Sequence, residues 1–138
     1  MRLWHEKLIP YLSNQRLSGQ HRECCALRGL GWGRKHKTVD YAFKYDRFRL
    51  YLYHMKVMFE MKRRNYNVDD KWLDYNYRGK YCEPDNFEID KGFARRLLNP
   101  IYGIHKQSIY PEHNDEYLKE CLDLLEKKGE HIEWKNIK

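Results

Sequence analysis

Apolar residues recur at three- and four-residue steps in three stretches of this 138-residue chain. Nowhere do they alternate cleanly with polar ones between turn residues, so the pattern predicts helices and no sheet. The first predicted helix begins near Ser13 or Asn14, either of which could cap it, and runs through Arg22 and Glu23 towards Leu27. Its apolar face is thin, Leu17, Cys24 and Leu27, so its stability must come from its neighbours. The second is the best supported: Tyr45, Phe48, Leu52, Met55 and Phe59 form a stripe, with Arg47, Arg49, Lys56, Lys62, Arg63 and Arg64 on the other faces. That stripe reads as core. Its basic end reads equally as a phosphate contact or a solvated face. The third has the clearest limits. Asn114 can cap it, Asp115 and Glu116 suit the positive end of its dipole, and Leu118, Cys121, Leu122 and Leu125 form its buried stripe. Lys127 and Lys128 fill the last turn, and Gly129 suits the position just beyond.

Between these stretches the pattern loosens. Gly29, Gly31 and Gly33 alternate with Leu30 and Trp32. Such glycines let the backbone approach another backbone or a phosphate closely, or make a flexible turn; no phosphate-binding loop signature accompanies them. Phe87, Phe93 and Leu97 hint at a shorter helix, and Pro84, Pro100 and Pro111 punctuate loops. The expected architecture is a compact all-α single domain spanning residues 1–138, built on three main helices with irregular connections.

Composition supports a folded chain: 41% hydrophobic and 15% aromatic residues suffice for a core. No run of about 18 apolar residues is present, so no membrane span is expected, and the N-terminus lacks the apolar core of a signal peptide. A cytoplasmic monomer is the expectation. Cys24, Cys25, Cys82 and Cys121 show no paired zinc spacing, which suits reduced thiols inside a cell. Charge changes the picture more. Residues 1–64 hold 15 Lys/Arg against 5 Asp/Glu, whereas residues 65–138 hold 12 against 15. The whole net charge of +7 therefore comes from the N-terminal half, which favours a polyanionic partner docking there.

Within that basic half, Arg22 stands beside Glu23, followed by Arg28 and by Arg34-Lys35-His36. A surface made only to grip phosphate would avoid a carboxylate there, so Glu23 suggests chemistry on the polyanion. His21 with Cys24 reads as a weak metal seed.

The ordered run Gln15-Arg16-Leu17-Ser18-Gly19-Gln20-His21-Arg22-Glu23, the tripeptide Arg34-Lys35-His36, the stretches Phe43-Lys44-Tyr45-Asp46-Arg47 and Met61 to Asn67, and Tyr77-Arg78-Gly79-Lys80-Tyr81 resemble the pyrimidine dimer DNA glycosylase family. The resemblance covers roughly the first half of the chain. It implies a DNA glycosylase with AP lyase activity on damaged duplex DNA, needing no metal and no cofactor. In that family the N-terminal α-amine attacks the sugar C1′, a Schiff base forms, the base leaves, and β-elimination cuts the strand. The catalytic glutamate falls on Glu23 and its neighbouring arginine on Arg22. Residue 2 is Arg2, and a large second residue normally prevents methionine removal, so the nucleophile is read as the amine of Met1. An α-amine ordinarily has a pKa near 8, leaving about a tenth of it neutral at pH 7. Arg2, Arg28, Arg34, Lys35 and His36 are the expected DNA-binding residues. His36 reads equally as a packing residue. Arg28 stands nearest to a family arginine whose own position is Ala26 here. Two other readings are weighed beside this one. One is a non-enzymatic nucleic-acid-binding protein that keeps the basic surface. The other is a metal-dependent hydrolase using His21, Cys24, Cys25 and either His5 or His36.

Overall fold

The computed structural model describes residues 1–88 and 108–137. Among these the chain is helical, with no β-strand, as the absence of alternating patterning predicts. Helix α1 spans Asn14–Arg28, α2 spans Arg47–Arg63 and α3 spans Asp115–Lys127. Short 3-10 segments occupy Glu6–Tyr11, Asp40–Lys44, Asp70–Leu73 and Trp134–Asn136. Of the shorter helix suggested by Phe87, Phe93 and Leu97, the last two residues lie outside the described segments.

Each long helix starts where a side-chain oxygen can satisfy an orphan backbone donor. Ser13 accepts from the Arg16 N–H at 3.2 Å, Asp46 from Arg49 at 3.2 Å, and Asn114 from Tyr117 at 2.9 Å. α3 ends as its pattern predicts. Gly129 takes a φ of +83°, and the N–H of Glu130 returns to the Leu125 carbonyl at 2.8 Å, closing the terminus with a left-handed glycine.

Helices α1 and α2 pack against each other, and the 6–11 segment packs on α2. Leu17, Cys24 and Leu27 of α1 are all buried there, with Leu50, Tyr53, Val57 and Met61 of α2 and Leu118, Cys121 and Leu125 of α3. Leu3, Leu8 and Leu12 complete this core and anchor the N-terminal segment to the fold. Truncating Leu17 to alanine would cost about 2–5 kcal/mol.

The predicted stripe of α2 is corrected in phase. Phe59 is exposed, Tyr45 precedes the helix, and of the predicted set only Met55 is fully buried. The helix lies between two apolar clusters. Leu50, Tyr53, Val57 and Met61 face α1, whereas Tyr51, Met55 and Met58 face Phe48, Trp72, Leu73 and Tyr75. A helix wetted on one narrow side supports several apolar registers in its sequence.

At its basic end Arg64 is tied into the fold, whereas Lys62 and Arg63 stay exposed. Arg64 donates to the carbonyls of Leu12 (2.7 Å) and Pro10 (3.0 Å) and to Glu60, which also pairs with Arg63, while Lys62 pairs with Asp70. The glycine stretch also serves backbone contact. The N–H of Gly31 donates to the Ala26 carbonyl at 2.9 Å, and a Cβ at Gly31 would stand 2.8 Å from that oxygen.

Candidate active site

The N-terminal segment crosses the flank of α1, and one buried side chain joins them. Gln20 donates through Nε2 to the Arg2 carbonyl at 2.9 Å and to Glu23 Oε2 at 3.1 Å. Its Oε1 accepts from the Trp4 N–H at 2.8 Å and lies 2.9 Å from the Tyr53 hydroxyl. The Arg2 N–H also donates to Glu23 Oε2, at 3.3 Å. Two donors therefore converge on one oxygen of Glu23. Among the described residues its Oε1 has no hydrogen-bond partner. Glu23 is half-buried and lines a cleft of ≈ 540 Å³ with Trp4, Gln15, Arg16, Arg22, Lys128 and Glu130.

Met1 is exposed at the start of this segment. Its α-nitrogen is one residue removed from the amide that touches Glu23, so covalent geometry keeps it within about 7 Å of that carboxylate. The Thr38 hydroxyl donates to the Met1 carbonyl and lies 3.2 Å from His36 Nδ1. The Arg34-Lys35-His36 tripeptide is thereby stitched to the chain's first residue.

Arg22, Arg34 and Lys35 are exposed, and their side chains form no ion pair among the described residues. The Arg2 guanidinium turns towards α3, donating to Tyr117 (3.4 Å) and pairing with Glu120 at 3.3 Å. Across the cleft Arg16 pairs with Glu130 at 2.5 Å and lies over the Trp4 ring.

Arg28 does not join this surface. It is 2% exposed, and its guanidinium donates to the carbonyls of Trp72 (2.8 Å), Asp74 (2.9 Å) and Tyr77 (3.0 Å) and to His54 Nδ1 (2.9 Å). It also lies against the Tyr51 and Trp72 rings. The expectation of a phosphate contact at Arg28 gives way to a tie between α1, α2 and the 70–78 segment. Arginine clusters look alike in sequence whether their forks meet phosphate or backbone carbonyls.

The residues weighed as metal ligands scatter. Cys24 is in the core, His5 donates to the His113 carbonyl, and only His21 and Cys25 remain together, joined by His54. His21 Nδ1 and His54 Nε2 are 2.8 Å apart, and Cys25 Sγ lies 3.9 Å from His54 Nε2. Arg28 can only donate, so it forces His54 Nδ1 to accept and leaves the His54 proton on Nε2, aimed at His21. A metal-bound histidine needs the reverse, its outer nitrogen donating. Burial also pushes the Cys25 thiol up to about 11. The trio suits a hydrogen-bonded chain better than a cation.

A basic, exposed loop thus lies against the first residue, near a carboxylate that lines a cleft. The family model for pyrimidine dimer DNA glycosylase matches residues 1–74, more than half of the chain. The chain belongs to the pyrimidine dimer DNA glycosylase family. The matched region contains α1, the 34–38 loop and α2, hence every residue of the candidate site except those that α3 and its following turn contribute. A DNA substrate and glycosylase activity go with this family. No curated protein and no solved structure matches the chain. No helix among the described residues is long and apolar enough to cross a membrane.

Gln20 and Thr38 were not singled out as site residues in the sequence. Gln20 falls inside the family-like run, but a glutamine between polar neighbours carries no mark of burial. Thr38 follows the basic tripeptide as an ordinary loop residue.

Proposed function

We propose that the protein is a DNA glycosylase with a coupled AP lyase step on damaged duplex DNA, with the Met1 α-amine as nucleophile and Glu23 as the acid–base group. The reading rests on the hydrogen bond from the Arg2 N–H to Glu23 Oε2, which brings the chain's first residue and its cleft-lining carboxylate together. The neutral amine donates its lone pair to the sugar C1′. The N-glycosidic bond breaks, and its electron pair leaves with the base, which takes up a proton. The nitrogen loses a proton, the C1′–O4′ bond opens and O4′ is protonated, leaving a Schiff base. Glu23 removes a proton from C2′, and the freed electron pair expels the 3′-phosphate. Water then hydrolyses the imine and returns the amine. At a preformed abasic site the amine condenses with the C1′ aldehyde and releases water.

Arg22, Arg34 and Lys35 act as phosphate contacts, with His36 and Arg2 at the margin, because those three are exposed and form no ion pair among the described residues, which leaves them able to hold phosphate. Extruding a nucleotide costs a few kcal/mol, least at a lesion, which supplies part of the selectivity. Borohydride reduction in the presence of abasic or ultraviolet-irradiated duplex tests the proposal. The expected result is a covalent adduct on the Met1 amine. Bound duplex with no adduct and no nicking would leave a nucleic-acid-binding protein without this chemistry.

A further inference from the structure

We infer that Gln20 is the positioning residue of this site, holding Glu23 and the N-terminal segment in a fixed relation; the inference rests on the lyase reading above. Gln20 is 1% exposed, and three of the four hydrogen-bonding positions of its amide are taken by the Trp4 N–H, the Arg2 carbonyl and Glu23. The assignment of its oxygen and nitrogen follows from the partners. Exchanging them would set the NH2 against the Trp4 N–H and the oxygen against both the Arg2 carbonyl and the Glu23 carboxylate. One amide therefore fixes three things: the path of the segment at Arg2, its path at Trp4, and the rotamer of Glu23.

The arrangement divides the labour between the two oxygens of Glu23. Oε2 receives Gln20 Nε2 and the Arg2 N–H and is held. Oε1 remains available to a proton on the substrate. A carboxylate free to rotate would spend its time on other partners, because Arg22 is its chain neighbour and Arg16 lines the same cleft. Holding a reacting pair in one geometry is worth orders of magnitude in rate. Gln20 touches neither DNA nor the reacting atoms, so its effect should fall on the chemical step and not on DNA affinity.

The test compares the full chain with Gln20→Glu on a duplex carrying one abasic site, measuring DNA binding and single-turnover strand cleavage separately from pH 6 to pH 8. Gln20→Glu keeps the shape and the acceptor for Trp4 but turns a charged oxygen towards Glu23. Binding is expected within about threefold of the parent. Cleavage at pH 8 is expected to be slower by about tenfold or more. That deficit should shrink towards pH 6, where the paired carboxyls retain a proton that can bridge them. Gln20→Asn, one methylene short of Glu23, covers the case in which the glutamate variant does not fold; it should lose rate at all pH values while keeping affinity. A folded Gln20→Glu chain that cleaves like the parent, or one whose rate and affinity fall together without pH dependence, would reduce Gln20 to a packing residue. Absence of borohydride trapping by the parent chain would remove the lyase reading itself, and this role with it.

Discussion

The backbone N–H of Arg2 donates to Glu23 Oε2 at 3.3 Å, across 21 residues of sequence. Residue 2 can reach residue 23 because Leu3, Trp4 and Leu8 are buried, which pins the N-terminal segment along α1. Glu23 and the chain's first residue are thus neighbours through core packing, and the surface charge around them is a separate feature. The two can be perturbed independently.

Glu23→Gln keeps the side-chain size and an acceptor oxygen but removes the ionisable carboxylate, the proposed base. Strand nicking at an abasic site should fall by about a hundredfold or more, while duplex affinity stays within about threefold. Gel-resolved cleavage and anisotropy titration measure the two separately. Unchanged nicking would exclude Glu23 from the reaction.

Adding two residues ahead of Met1 moves the amine away from Glu23 and leaves the basic loop in place. Borohydride trapping should drop by at least about tenfold with DNA binding retained. Peptide mapping of the parent adduct should locate it on the Met1 nitrogen. An adduct on a lysine side chain would assign the nucleophile elsewhere.

The exposed and buried arginines should separate cleanly. Removing Arg34 and Lys35 together should flatten the dependence of log K on log salt by about 0.9 for each phosphate no longer neutralised, with thermal stability unchanged. Arg28→Ala should do the opposite. It strands three backbone carbonyls and His54 inside the fold, at a cost of about 3 kcal/mol or more. In a folded preparation it should leave the salt slope intact. Thermal melts and salt titrations on both variants decide the matter.

His113 supplies a pH test of the core. Its Nδ1 accepts from the Glu6 N–H at 3.1 Å, and its Nε2 lies 2.6 Å from the Tyr41 hydroxyl. Burial, with smaller contributions from His5 and Lys56, lowers its pKa to about 3. The unfolded chain, titrating near 6.5, binds the proton first as pH falls. The stabilisation is therefore complete above about pH 6.5 and is lost progressively towards pH 3. Between pH 7 and pH 5 this one histidine should remove about 2 kcal/mol of stability. His54, lowered chiefly by burial and then by Arg28, acts with the same sign. Denaturant midpoints measured across that range should fall with pH. A flat profile would contradict the neutral buried rings.

The three long helices, and the limits of the first and third, were legible in the sequence because they are local. Ser13, Asn114 and Gly129 mark termini through bonds spanning only a few residues. The basic half of the chain was legible as well, since charge is a sum. Glu23 and the Arg34-Lys35-His36 loop stood out by residue type and order. Tertiary structure alone decided which of the basic residues are buried against backbone carbonyls. Arg22, Arg34 and Lys35 face outward, whereas Arg28 and Arg64 meet carbonyls supplied by segments more than forty residues away. It also decided the phase of α2, because a helix covered by two clusters has no single stripe to read. Gln20 and Thr38 acquire their roles only when the N-terminal segment is laid along α1 and the 34–38 loop. A hydrogen bond between residues distant in sequence depends on how the backbone is packed, and no local pattern of residue types encodes it.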